Sequence, residues 1–287
     1  MNSRLEGDNE YIKRIIETDT PFFIGRIAGC ELNVACNFIN KITIEEKEEL
    51  ARLENNAGIK ITSQHSLEVY VKKLIKSYHN CTGIAIWDTS GSVFAHIGYG
   101  QQLITSKTLN IPKINALSLE PYYFDRHNSW MGALKGKKIL IIHPFVKTFK
   151  RQQENLKNIF PDRSWFEDCE LQFIQPPLTL AGNHQNKDWQ EHYIEFTENL
   201  KKQIKPDFDI ALVAAGGYGM LIADYIFTEL KKSVMYIGGA LQLFFGVIGK
   251  RWFDNKEIMK MVNDNWIRPD KDDKPQNFTN VERGCYW

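Results

Sequence analysis

No CxxC pair occurs in this chain, and its five cysteines, at positions 30, 36, 81, 169 and 285, are odd in number. That spacing suggests neither a zinc site nor a disulfide framework and fits reduced thiols in a cytoplasm. Long apolar runs are missing as well: none approaches the roughly 18 residues that span a bilayer. The longest candidate, Ser233–Ile248, is broken by Gly238, Gly239 and Gly246 and reads as a buried strand and loop. The opening stretch, MNSRLEGDNEYIKRII, is charged and has no apolar signal-peptide segment. Charge of one sign is also lacking. With 36 Lys and Arg against 35 Asp and Glu, the net charge is +1. That gives no general attraction for nucleic acid or anionic membrane, so any anion must be held locally. There is no internal repeat and no low-complexity segment.

What remains is an ordinary globular composition, 43% hydrophobic and 25% charged over 287 residues, enough for one large α/β domain or two smaller ones around a cleft. Apolar periodicity predicts helices over 9–17, 31–38, 45–54, 66–77, 147–160, 188–203 and 220–231. Strands are expected at FFIGRI, TGIAIW, 139–142, 169–174, 208–215 and 234–237, and a polar surface wrap at 106–121. The last third, strand, glycine turn, helix and strand, reads as a parallel crossover. The fold class is therefore α/β, a Rossmann-like, mostly parallel sheet with flanking helices. The closing CYW suits a tail docked back onto the body.

Several places can carry chemistry. In DIALVAAGGYGMLIADYI the turn of Gly216, Gly217, Tyr218 and Gly219 joins a strand to a helix, where free amides and the helix dipole favour a phosphate. The pattern GGYG is not GxGxxG, and no acidic residue ends the next strand, which disfavours nicotinamide cofactors. That next strand ends at Gly238 and Gly239, followed by Gln242, Lys250, Arg251 and Trp252. A cation beside an aromatic at a second glycine-rich edge suits a phosphorylated, ring-bearing ligand; the bland alternative is surface packing. In FFIGRIAGCE, Arg26 and Glu31 follow a buried strand, and either they pair with each other or both face a polar substrate. His143 ends the ILII strand, where a hydrogen-bonded turn residue is the commoner role and a base the rarer one. Asp188 reads as a helix N-cap.

Taken together, FFIGRIAGCE, EPYYF, LKGKKILIIHPF, AAGGYGMLIADYI, IGGALQLFFGVIGKRW, NDNWIRP and RGCYW resemble the GT-D-fold glycosyltransferase family, members of which are commonly encoded with surface-polysaccharide genes. The likeness runs from about Phe22 to Trp287. It implies a lobe over about 1–130 for the acceptor and a Rossmann-like lobe over 131–287 for the nucleotide. The implied activity moves a sugar from a nucleotide-sugar donor to a glycan acceptor in surface-polysaccharide biosynthesis. The resemblance further implies Arg26, Glu31 and His143 as catalytic candidates, and Gly216–Gly219, Gly238, Gly239, Gln242, Arg251 and Trp252 as the nucleotide site. In that family a motif R-x-G-D-G-E supplies an aspartate and a glutamate to a divalent metal. Here the stretch is Arg26-Ile27-Ala28-Gly29-Cys30-Glu31, so Gly29 stands in the aspartate's place. Glu31 alone is a poor anchor for Mg²⁺ or Mn²⁺, and is left as general base or sole metal ligand. The incomplete motif keeps open a non-catalytic nucleotide-sugar or glycan-binding module. A Rossmann-like phosphate-group transferase is a third option.

Overall fold

The computed structural model describes residues 3–41, 46–91, 93–124, 128–204 and 207–287. Its centre is one all-parallel sheet of seven strands: β1 Phe23–Arg26, β2 Gly83–Ile86, β3 Lys113–Asn115, β4 Lys138–Ile142, β5 Glu170–Ile174, β6 Ile210–Val213 and β7 Ser233–Tyr236. They lie in the order β3-β2-β1-β7-β6-β4-β5. Among the described residues ten α-helices accompany them: α1 Ser3–Ile16, α2 Gly29–Ile39, α3 Glu46–Ala57, α4 Gln64–His79, α5 Gly98–Lys107, α6 Val146–Gln152, α7 Leu156–Ile159, α8 Trp189–Gln203, α9 Gly219–Thr228 and α10 Lys256–Met259. None of the described helices is long and apolar enough to cross a membrane.

The strands read as unbroken apolar runs because both sheet faces are covered. Along β4, Ile139 and Ile141 enter one core while Leu140 and Ile142 enter the other, the period of two that a pleated strand imposes. Each such fully buried aliphatic side chain contributes about 1.5–3 kcal/mol. Helix α8 shows how local chemistry sets an element's start. Asp188 accepts from the Gln190 N–H while Glu191 accepts from the Asp188 N–H, a complete capping box. The other Asp188 oxygen accepts from Thr62 and Ser66, tying α8 to the entry of α4. The N-cap reading of Asp188 is thus met.

Two expectations are corrected. The stretch 106–121 is not a surface wrap: it holds the end of α5 and the edge strand β3, paired to β2, and then buries Ser118, Leu119 and Glu120. A three-residue strand, KIN, is too short to show a period. The helix expected over 147–160 is broken into α6 and α7 by a 3₁₀ turn at Gln153–Asn155.

Strand β1 pairs with β7 in register Phe23↔Val234 and Ile24↔Met235, which knits the N-terminal and C-terminal portions into one sheet. Beyond β1 the chain enters α2, whose Leu32 and Val34 join one core; beyond β7 it runs through Ala240–Phe245 into the opposite core. Adjacent strands whose continuations part to opposite faces leave a crevice at their carboxyl ends, the usual ligand position in open α/β sheets.

Candidate functional site

A cavity of about 300 Å³ occupies that crevice. Its floor comes from the ends of β1, β7, β6 and β4, through Ala28–Glu31, Gly238 and Gly239, Gly216, and His143 respectively. Trp87 and Phe94, stacked at 4.3 Å, form one wall, and Tyr286 and Trp287 of the C-terminal segment form another. Tyr78 fixes the β1 end: its hydroxyl donates to Arg26 O at 2.9 Å and accepts from the Ala28 N–H at 3.2 Å.

Arg26 does not pair with Glu31 and does not line the cavity. Its Nη2 meets Glu120 Oε1 at 3.1 Å, Nη1 donates to Ile237 O, and the guanidinium lies 4.3 Å from the Trp87 ring. Glu120 Oε2 in turn accepts from the Tyr122 hydroxyl. Arg26 and Glu120 are both buried, so a carboxylate from the end of the β3 segment neutralises a cation that would otherwise be stranded. By gripping Ile237 O, Arg26 fixes the backbone just before Gly238 from below. Sequence reasoning missed Glu120. The available signal was its place, a lone charge between apolar Leu119 and Pro121.

Glu31 does line the cavity, in the first turn of α2. Ala28, the N-cap, offers no side-chain cap, so the helix relies on Glu31 near its first amides. The carboxyl is buried, and Cys30 Sγ donates to its Oε2 at 3.2 Å. Burial raises the Glu31 pKa above the usual carboxylate range, and nearby Glu282 adds to this; the backbone amide and the Cys30 thiol oppose it. Burial also lifts the Cys30 thiol well above its ordinary value, with the Glu31 charge adding to this, so the thiol keeps its proton.

These residues do not fit a divalent metal. The described residues contain no group of three His, Cys, Asp or Glu side chains placed to hold one. The position of the family aspartate is moreover closed, since a Cβ on Gly29 would stand 2.8 Å from Ile97 Cγ2. Of the two carboxyls on the cavity, Glu31 and Glu282, the one at the motif position is buried in surroundings that favour its proton, which makes it a weak ligand for a hard cation.

The two glycine turns differ. At Gly216–Gly219 only Gly216 reaches the cavity. A Cβ on Gly217 would meet Ile59 at 2.4 Å, and one on Gly219 would meet the Tyr236 ring at 2.1 Å. Tyr70 and Tyr236 donate to Gly217 O and Gly216 O, and the Tyr218 and Gly219 N–H groups bond to Ala215 O and Gly216 O. Gly217, Tyr218 and Gly219 are therefore packing positions away from the cavity, and of the turn expected to cradle a phosphate only Gly216 stands at it. At Gly238 and Gly239 both residues line the cavity, and Gly238 has φ +70° with nothing nearer its missing Cβ than Arg26 Nη1 at 3.5 Å. They open a 3₁₀ segment, Gly238–Phe245, whose first amides have no intrahelical acceptor.

The remaining candidates also divide. His143 lines the cavity with its Nδ1 accepting from the Phe145 N–H at 2.9 Å, and it stacks 4.4 Å from Phe149. Burial pushes its pKa down to about 3, so the ring is neutral with its proton on Nε2. It is a donor there, and the base role fails. Gln242 is fully buried and lines the cavity; Nε2 donates to Val247 O and Tyr286 O, while among the described residues Oε1 has no partner. Arg251 stands at the rim, donating to the Tyr286 hydroxyl at 2.7 Å and lying 3.9 Å from Glu282. Trp252 is buried beside Tyr286 and does not line the cavity. The closing segment is docked as expected, with Trp287 Nε1 donating to Asp273 O.

No family model, no curated protein and no solved structure matches the chain. Its chemistry must therefore be argued from this cavity.

Proposed function

We propose that the protein is a glycosyltransferase of the cytoplasm, moving a sugar from a nucleotide-sugar donor to a glycan acceptor in surface-polysaccharide biosynthesis, without a divalent metal. The observation that carries this reading is the convergence of the Gly238–Gly239 turn, Arg251 and Glu31 on one cavity at the β1–β7 crevice. Glycosyl transfer builds negative charge on the departing nucleoside diphosphate, so a catalyst needs fixed donors at that charge. The open space beside Gly238 lets a diphosphate approach the main chain, and Arg251 supplies a cation at the rim. The Trp87–Phe94 stack and Tyr286 offer flat apolar surface to a base or sugar ring. Glu31, held at a helix start with its proton favoured, suits a hydrogen bond to a sugar hydroxyl. The Nε2–H of His143 and the unpartnered Oε1 of Gln242 add one donor and one acceptor for ligand groups.

A thermal-shift screen with nucleoside diphosphates, followed by donor hydrolysis with and without Mn²⁺, tests this reading. A native-state ligand raises apparent stability by mass action. The expected result is a shift with at least one diphosphate and slow donor cleavage that EDTA does not abolish. Absence of any shift across the uridine, guanosine, cytidine and thymidine series defeats it. The second reading, a nucleotide-sugar or glycan-binding module without turnover, is favoured by the closed position at Gly29, and binding without cleavage is its signature.

A further inference from the structure

Glu282 belongs to no glycine turn and to no metal motif, yet it lines the same cavity as Glu31. The backbone delivering it is strained. Glu282, Arg283 and Gly284 have φ of +45°, +60° and +75°. Left-handed backbone is disfavoured for an L residue, and only the last of the three is glycine. Such a run persists where its surroundings over-determine it, and strain of this kind gathers at functional sites. Here Val281 is fully buried, the Gly284 N–H bonds to Val281 O at 2.8 Å, and the Arg251 N–H bonds to Cys285 O at 2.9 Å. Gln242 Nε2 holds Tyr286 O at 3.3 Å.

A transfer reaction must remove a proton from the attacking hydroxyl, and the other acid–base groups on this cavity are poorly placed to do so. Glu31 is buried and accepts from the Cys30 thiol. Cys30 keeps its proton, and the free ring nitrogen of His143 is a donor. His96 also lines the cavity, but its ring is exposed, and among the described residues no hydrogen bond orients it. Glu282 also accepts from a thiol, Cys285 Sγ donating to its Oε2 at 3.2 Å, but its side chain is 46% exposed where Glu31 is buried, and Arg251 lies 3.9 Å away. The charged and titratable groups around it are thus Arg251, Cys285, Tyr286, Cys30 and Glu31.

Resting on the transferase reading, we infer that Glu282 is the general base of the reaction. Its carboxylate takes the proton of the acceptor hydroxyl as that oxygen bonds to the anomeric carbon. The bond from the anomeric carbon to the diphosphate oxygen breaks, and its electron pair leaves on the diphosphate beside Arg251. The loose Arg251–Glu282 contact has a use in this scheme. A diphosphate drawing Arg251 toward itself frees Glu282 for the proton, so donor binding arms the base.

The test uses the purified full chain and a panel of UDP-, GDP- and dTDP-sugars, with water as acceptor. Glu282→Gln is expected to lower kcat by about 10²–10⁴-fold, the range for a lost general base, with the donor KM held within about threefold. Glu282→Gly guards against misfolding. Glycine takes this φ without steric cost, so its melting temperature should match or exceed the wild type while turnover is lost. His96→Gln is expected to stay near wild-type rate. Turnover by Glu282→Gln within about threefold of wild type, or a loss of donor binding as large as the loss of turnover, overturns the inference and leaves the transferase reading standing. A wild-type chain that cleaves no donor fails the transferase reading itself, and this inference falls with it.

Discussion

The glycine turns after β6 and β7 stand on neighbouring strands of the same sheet, and the chain uses glycine at each for a different reason. After β6, Gly217 and Gly219 are glycines because Ile59 and the Tyr236 ring occupy the space a side chain would need. After β7, Gly238 is glycine because its backbone is left-handed, and the space beside it is open toward the cavity. Close packing crowds Gly217 and Gly219 in one turn and Gly239, against the Tyr286 ring at 2.5 Å, in the other; Gly238 alone has open space beside it. A glycine-rich strand end is therefore no phosphate site until the neighbours of each missing Cβ are known.

Substitution at the packed turn breaks this comparison most severely. Gly219→Ala drives a methyl into a ring that is itself held by its hydroxyl to Gly216 O, and overpacking of that kind costs about 1–3 kcal/mol. Urea denaturation should show the loss, while the folded fraction binds nucleoside diphosphate with wild-type affinity. If affinity falls instead, the β6 turn is a ligand site after all.

Gly238→Ala sharpens the contrast from the other side. The left-handed φ costs an alanine about 1–2 kcal/mol, and the added methyl narrows the approach to the amides. Diphosphate affinity should fall about tenfold, equivalent to about 1.4 kcal/mol, measured by calorimetry on protein that melts cooperatively. Unchanged affinity would move the diphosphate away from the β7 turn.

The smallest effect at neutral pH belongs to His143, at the neighbouring β4 end. Its folded pKa of about 3 lies below the ordinary 6.5 because burial disfavours the imidazolium. Above pH 6.5 neither the folded nor the unfolded ring carries the extra proton, and the stability is fully present. Between 6.5 and 3 the unfolded chain binds the proton first, so stability falls by up to about 1.4 kcal/mol per pH unit from this group. His143→Gln should flatten that acid limb and leave stability at pH 8 less affected. Denaturation curves at pH 8 and pH 5 for both proteins read the difference.

The layered architecture was legible because β4, β6 and β7 are apolar runs bounded by turn signals, and because α8 carries its own capping box. Strand β3 was not legible, since three residues with one apolar side chain leave no periodic trace. At the cavity, Glu31, Gly238 and Gly239 were legible as candidates because each follows a strand end, and Arg251 because a cation stands beside an aromatic. Glu120 and Glu282 escaped because their roles come from long-range packing: one lies under Arg26, 94 positions away in sequence, and the other reaches the cavity on a left-handed run that no composition rule marks. The same blindness explains the Arg26–Glu31 alternative. Both residues follow β1, but Arg26 turns under β7 while Glu31 opens a helix.

Ile97 sets the order in which any engineer could rebuild a metal centre here. Because it fills the room a side chain at position 29 would take, installing an aspartate first must force Ile97 aside. Trimming the buried Ile97 to alanine first costs about 2–5 kcal/mol of core packing but opens that room, after which the second carboxylate has somewhere to go. The two changes are thus tolerable in one sequence and obstructed in the other, and a library that samples position 29 alone would miss the route.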